Sequence, residues 1–279
     1  MPNTSHHHAT FRALHESGCF VIPNPWDPGT GMALEQLGFK ALATTSAGFG
    51  FSRGLHDSPD ALAVDAVLDH IADIVAAAGV PVNADFQSGY ASDAEGVAVN
   101  VRRCLETGVA GLSIEDATGD HDKPLFELSE AVARIAAARA AIDSYGGDAL
   151  LTARAECFLV DHQDPLGGSI RRLQAYAEAG ADVLFAPGVR EREGIRAIVE
   201  SVQPKPVNVL ISADIGLRVS DLAELGVRRI SVGSALARAA WGAFLRAAMC
   251  IAEEGSFAGL DGAAAFADLN AMFETTRSE

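Results

Sequence analysis

The sequence predicts an α/β protein, one (β/α)8 TIM-type barrel with extra N- and C-terminal helices. Three observations carry this expectation. Eight short β-rich apolar runs alternate with longer helical patterns over nearly the whole chain. Gly38, Gly79, Gly108, Gly180 and Gly226 close helical stretches, where C-caps belong. No linker or shift of composition divides the 279 residues, so 1–279 reads as a single domain; a doubly wound open sheet is the competing arrangement.

CFVIP (19–23) is the first run, and NPWDPGTG follows it, with Asp27 placed either to cap the next helix or to touch a ligand. KALATTS (40–46) leads into SAGFGFSRG (46–54), whose glycines fit neither GxGxxG nor a P-loop; it reads as a flexible loop over the barrel mouth or as an ordinary turn. An amphipathic stretch (60–79) precedes VPVNAD (80–85) and AGLSIED (110–116). An Ala-rich stretch (124–143) precedes DALLTAR (148–154), ADVLFAP (181–187), PVNVLI (206–211) and RRISVG (228–233). In VGSALARAA (232–240), Gly233 and Ser234 open the helix after the eighth strand, where many barrels bind phosphate on free amides. Residues 1–10, with the His6–His8 run, read as a disordered tail, and GLDGAAAFADLNAMFETT (259–276) as a C-terminal helical extension.

Composition narrows the function classes. No stretch approaches about 18 uncharged apolar residues, so no membrane span is expected, and no secretory signal opens the chain; the expected compartment is the cytoplasm. Cys19, Cys104, Cys157 and Cys250 are too scattered for a zinc site or redox pair and read as reduced thiols. A formal charge of −16 argues against nucleic acid. An acidic protein that handles an anion must gather a few cations locally.

Barrel chemistry sits at the C-terminal ends of the strands. Those ends carry Thr44, Thr45 and Ser46, then Asp85, then Glu115 and Asp116, then Arg154 and Glu156, with Asn208 on the seventh strand. Carboxylates from separate strands around one arginine suit a hard divalent cation holding an anionic oxygen ligand. Asp85 reads as a magnesium-site residue, with a salt bridge or helix cap as its structural alternative. No lysine ends a strand, so a Schiff-base nucleophile is not evident.

PNPWDPGTGMALEQLGFKALATTSAG, VNADFQSGY, GVAGLSIEDATGD, LLTARAECF, AYAEAGADVLFAPG and ELGVRRISVGSALAR stand in an order that resembles the isocitrate lyase/phosphoenolpyruvate mutase superfamily, over roughly residues 10–255. The resemblance implies a Mg2+-dependent barrel, with Mn2+ as a possible substitute, acting on small 2-oxo or 2-hydroxy carboxylates. Position by position it implies that Ser46 and Gly48 meet the substrate carboxylate, Asp57 is the catalytic aspartate of the strand-two loop, Asp85 and Glu115 hold the metal, and Arg154 grips the carboxylate or developing enolate oxygen. Asn208 joins these as a substrate-binding residue. Asn83 stands where many members have the first aspartate of an acidic pair, and the Lys-Lys-Cys-Gly-His loop of isocitrate and methylisocitrate lyases is replaced by DATGDHDKPL.

Those departures point away from isocitrate lyase activity. They leave a carbon–carbon lyase for a small 2-oxo mono- or dicarboxylate working through an enolate, with decarboxylation of an oxaloacetate-like acid first. Phosphonopyruvate hydrolase or phosphoenolpyruvate mutase-type carbon–phosphorus chemistry is the alternative, and a non-catalytic binder of a 2-oxoglutarate-like dicarboxylate is the alternative of another class. The resemblance also implies a homo-oligomer, a dimer or a tetramer with exchanged C-terminal helices.

Overall fold

The computed structural model describes residues 4–58 and 61–274. The chain opens with α1 (Thr4–Glu16), β1 (Phe20–Ile22), α2 (Pro28–Gln36), β2 (Leu42–Ala43), α3 (Ser46–Ser52), α4 (Val64–Ala77) and β3 (Val82–Asp85). It continues through α5 (Ala94–Glu106), β4 (Gly111–Glu115), α6 (Leu128–Tyr145), β5 (Leu150–Arg154), α7 (Pro165–Glu178) and β6 (Val183–Phe185). It ends with α8 (Arg192–Ser201), β7 (Val207–Leu210), α9 (Val219–Glu224), β8 (Arg229–Ser231), α10 (Ala235–Glu254) and α11 (Phe266–Glu274). All eight strands fall inside the apolar runs read from the sequence, and they pair in parallel in the order β1-β8-β7-β6-β5-β4-β3-β2.

Closure of the ring is local. The Ala43 amide donates to the Pro23 carbonyl at 3.0 Å. Beside it, buried Asn24 donates to the Thr44 carbonyl at 2.9 Å and accepts from the Val232 and Gly233 amides at 3.0 and 2.8 Å. One side chain thus ties the ends of β1, β2 and β8 together.

The strand period of two sorts the residues. Ala84, Leu112, Ile114, Leu151, Ala153, Val207, Val209 and Ile230 are buried in the apolar layer that includes helix residues such as Ile71, Val101, Ile135 and Leu173. The alternate positions Asn83, Asp85, Ser113, Glu115, Arg154, Asn208, Arg229 and Ser231 line a cavity of about 380 Å³. The apolar core therefore surrounds the ring, while the interior of the ring gathers the polar side chains, with Ile22, Ala43 and Phe185 among them.

Helix starts follow from their caps. Asp27 caps α2 through the Thr30 amide at 2.7 Å, which settles its role as a cap, and Asp93 and Asp164 cap α5 and α7. Gly38, Gly108, Gly180 and Gly226 have positive φ as expected of C-cap positions. Gly79 does not; its amide donates to Glu35 at 2.8 Å, and a Cβ there would come within 2.5 Å of the same carboxylate.

Two expectations are corrected. The segment read as a tail is helical from Thr4, residues 1–3 lying outside the described residues. Its anchor is Phe11, fully buried with Ile22, Ala41, Ala43, Ala110 and Leu150 at the end of the barrel opposite the strand C-termini. SAGFGFSRG is not a loop over the mouth, because Thr45 caps it into α3 by accepting from the Gly48 amide at 3.2 Å. Of the C-terminal extension, residues 258–260 form a 3-10 turn and α11 covers Phe266–Glu274, while residues 275–276 lie outside the described residues.

Candidate active site

β3, β4 and β5 end side by side, and their register places Asp85 opposite Ser113 and Glu115 opposite Arg154. The Arg154 guanidinium stands at the centre. Its Nη1 lies 2.8 Å from Asp85 Oδ1 and 2.9 Å from Glu115 Oε2, and its Nη2 lies 2.9 Å from Glu156 Oε1, which also accepts from Nε at 2.9 Å. The ring of Phe185 on β6 flanks the cation, its centroid 5.3 Å away. Burial alone would lower the guanidinium's pKa; Glu115, Glu156 and Asp85 outweigh that and raise it, so Arg154 stays charged.

The same carboxylates crowd one another. Burial pushes Glu115 well above the ordinary carboxylate range, with Arg154 opposing and Glu156, Asp85 and Asp57 adding to the rise. Glu156 is raised for the same first reason. Exposed Asp57 reaches the cavity from the segment after α3, and its carboxyl is raised by desolvation and then by Asp85. A set of four carboxylates around one guanidinium calls for another cation.

Oxygen chemistry on the wall fits a hard ion. Asn83 Oδ1 and Gln87 Oε1 are buried acceptors with no donor among the described residues, and both residues line the cavity. Gln87 takes a left-handed φ of 43°, a strained backbone at the turn after β3. Carboxylate and carbonyl oxygens are the ligands that Mg2+ takes. Among the described residues no three carboxylates, histidines or cysteines form a ready cradle, and Arg154 Nη1 lies between Asp85 and Glu115.

Ser46 reaches the cavity, but both its amide and its hydroxyl donate to Asp85 Oδ2 at 2.9 Å, so here it orients the carboxylate. Gly48 does not line the cavity. Its amide is taken by Thr45, and a Cβ would come within 2.6 Å of Thr45 and 3.1 Å of Trp26, so packing explains this glycine. Asp116 turns away from the cavity: it accepts from the Glu156 amide at 2.8 Å, from Tyr176 at 2.6 Å and from Arg172 at 3.0 Å, and so fixes Glu156. Of Gly233 and Ser234, read as a phosphate-binding helix start, the Gly233 amide is held by Asn24, as is the neighbouring Val232 amide. Asn208 lines the cavity from β7.

Reading the strand ends did not single out Asn24, Gln87, Arg229 or Arg238; Asn24 and Gln87 lie just beyond a strand, Arg229 opens β8 and Arg238 stands in the first turn of α10, and each lines the cavity.

The phosphoenolpyruvate phosphomutase family profile matches residues 11–252. The chain belongs to that family. A crystal structure of a candidate lyase/mutase from Burkholderia cenocepacia is 47% identical, with a TM-score of 0.92 over 97% of this chain and 96% of that one. The oxaloacetate decarboxylase of Pseudomonas entomophila is 31% identical over 84% of this chain and 82% of its own length. A phosphonopyruvate hydrolase solved with oxalate and Mg2+ is 26% identical, with a TM-score of 0.83 over 97% of this chain and 96% of that one. The family is one of lyases and mutases that cleave carbon–carbon or carbon–phosphorus bonds.

Proposed function

We propose that the chain is a Mg2+-dependent carbon–carbon lyase for a small 2-oxo dicarboxylate, and that it decarboxylates an oxaloacetate-like acid. The composition of the cavity wall carries this reading: carboxylates, arginines, amides and hydroxyls line it, with no His, Cys, Lys or Tyr among the described lining residues. Aldol-type cleavage needs a base for the substrate hydroxyl, whereas decarboxylation needs an electron sink and a proton donor.

Asp85 and Glu115 would hold Mg2+, or Mn2+ in its place, and the ion would polarise the 2-oxo oxygen as a Lewis acid. Arg154 keeps one Nη2 hydrogen free of its carboxylates and offers it to the substrate oxygen that gains charge. The C3–C4 bond breaks, CO2 leaves, and the bonding pair passes into the C2–C3 enolate. Asp57, at the rim and with a raised pKa, returns a proton to C3, completing a 2-oxo acid one carbon shorter.

We also assign the apolar face of the C-terminal helices to a contact between copies, giving a dimer or tetramer. Trp241, Phe244, Leu245 and Met249 on α10 and Phe266 and Leu269 on α11 are exposed. By length and composition α10 would suffice to cross a membrane, and almost none of it is buried within one chain.

The test is a turnover screen with oxaloacetate, phosphonopyruvate and 2-methylisocitrate, each with Mg2+ or with EDTA, and with a protein-free Mg2+ control. Oxaloacetate should yield pyruvate and CO2 above the control, and EDTA should abolish this. Undiminished activity in chelator, or turnover of phosphonopyruvate alone, would sink the reading; tight binding without turnover would make the chain a dicarboxylate binder.

A further inference from the structure

The polar interior of the barrel holds a cation that the proposed reaction does not use. Arg229, the first residue of β8, is 3% exposed and has no carboxylate partner among the described residues. Burial lowers its pKa to about 9, which still leaves it charged at neutral pH. Its Nη2 donates to Thr152 Oγ1 at 3.0 Å, and its Nη1 lies 3.4 Å from His15 Nε2. His15 Nδ1 is 2.8 Å from the Phe11 carbonyl, so Nδ1 carries the hydrogen and Nε2 accepts from Arg229. Thr152 precedes Arg154 by two residues on the same face, so the Arg229 head lies one layer, roughly 7 Å, beneath the Arg154 cluster.

The third nitrogen, Nε, gives its hydrogen to Asn208 Oδ1 at 2.9 Å. A guanidinium has no acceptor, so this contact fixes which way the Asn208 amide points. Its NH2 is turned to Ser231 Oγ at 2.9 Å. The Ser231 hydroxyl accepts there, and no acceptor among the described residues takes its own hydrogen. Asn208 and Ser231 both line the cavity. Arg154, with most of its N–H groups on three carboxylates, is short of donors for a second ligand oxygen.

We propose that Arg229, Asn208 and Ser231 form a one-way donor relay whose end, the Ser231 hydroxyl, binds a carboxylate oxygen of the substrate. The proposal rests on the 2-oxo acid reading of the same cavity. Ser231 is the ligand-touching group, Asn208 passes the polarity on, and Arg229 is a positioning residue that sets its direction. A buried guanidinium, unopposed by any acid, biases the chain of hydrogen bonds toward an oxyanion in an otherwise acidic site.

The experiment measures Mg2+–oxalate binding by calorimetry, and the melting temperature without ligand, for wild type, Ser231→Ala, Ser231→Thr and Asn208→Asp. Ser231→Ala should weaken binding about tenfold without lowering the melting temperature, and Ser231→Thr, which keeps the hydroxyl, should restore it. Asn208→Asp should weaken binding at least as much while melting no lower than wild type, because the introduced carboxylate pairs with Arg229 and captures the serine hydrogen. Ser231→Ala binding like wild type overturns the relay while leaving the 2-oxo acid reading standing. Loss of binding in Asn208→Asp that only follows a fall in melting temperature also overturns it, since a purely structural role gives that result. Wild type that binds no Mg2+–oxalate overturns both.

Discussion

Arg154 holds three carboxylates, and each contact uses a particular face of a planar fork. Arg154→Lys keeps the charge, loses the fork and leaves some acids unpaired. With the substrate that the turnover screen identifies, kcat/KM should fall at least about tenfold, about 1.4 kcal/mol of transition-state stabilisation; steady-state kinetics check it, and wild-type values would reduce Arg154 to a structural pair. Asp85→Asn separates metal binding from folding. One charge fewer among Asp57, Glu115 and Glu156 relieves repulsion as the contact to Arg154 weakens, so without ligand the variant should lie within about 1 kcal/mol of wild type. The rise in melting temperature given by Mg2+ plus oxalate should shrink, because that rise follows RT ln(1 + [L]/Kd). A variant that melts early yet keeps the full rise would assign Asp85 to pairing alone.

At the level of elements, α1 closes the barrel end opposite the site, and its stability is tied to pH through His15. Burial, then Arg229, lower the His15 pKa from 6.5 to about 3, with its hydrogen bond to the Phe11 carbonyl opposing. Below pH 6.5 the unfolded chain takes up a proton that the folded chain refuses. The stabilisation is therefore complete above that pH and is lost as pH falls toward 3, by about 2 kcal/mol at pH 5. His15→Gln should flatten this acid limb, so urea melts at pH 7 and pH 5 should differ less in the variant than in wild type. Raised Glu115 and Glu156 act in the opposite sense in both proteins and cancel in the comparison.

The same elements show what the sequence could disclose. Apolar runs ending in Asp85, Glu115 and Arg154 identify strands and site together, because period two and the strand-end rule depend on local order alone. Only the first turns of α1, residues 4–10, escaped, because one aromatic, Phe11, anchors the helix and polar histidines precede it. α3 escaped because its Gly48 answers to the packing of Thr45 and Trp26, a tertiary fact. Arg229 looks like one of two strand-edge arginines until the register turns it inward and its neighbour Arg228 outward to the Gly18 carbonyl.

For the whole molecule, the uncovered apolar surface of α10 and α11 should set the assembly. Light scattering after size exclusion should give a dimer or tetramer, and Phe244→Glu, which places a charge beside Trp241 on that face, should shift the protein to a smaller species. A monomeric wild type would leave that face without a second copy.

The ring itself is held unevenly. Seven strand joins are ladders, while among the described residues β1 and β2 meet through a single amide–carbonyl bond and the Asn24 side chain. Asn24 also holds the two amides that lead into α10. When the protein breathes, this join, held by the fewest bonds, should part first, and its parting would free the Gly233 amide to exchange with solvent and loosen the entrance of α10. Fraying of the barrel and slackening of the surface proposed to meet another copy would then be one event, and assembly on that surface should slow hydrogen exchange at a seam outside it.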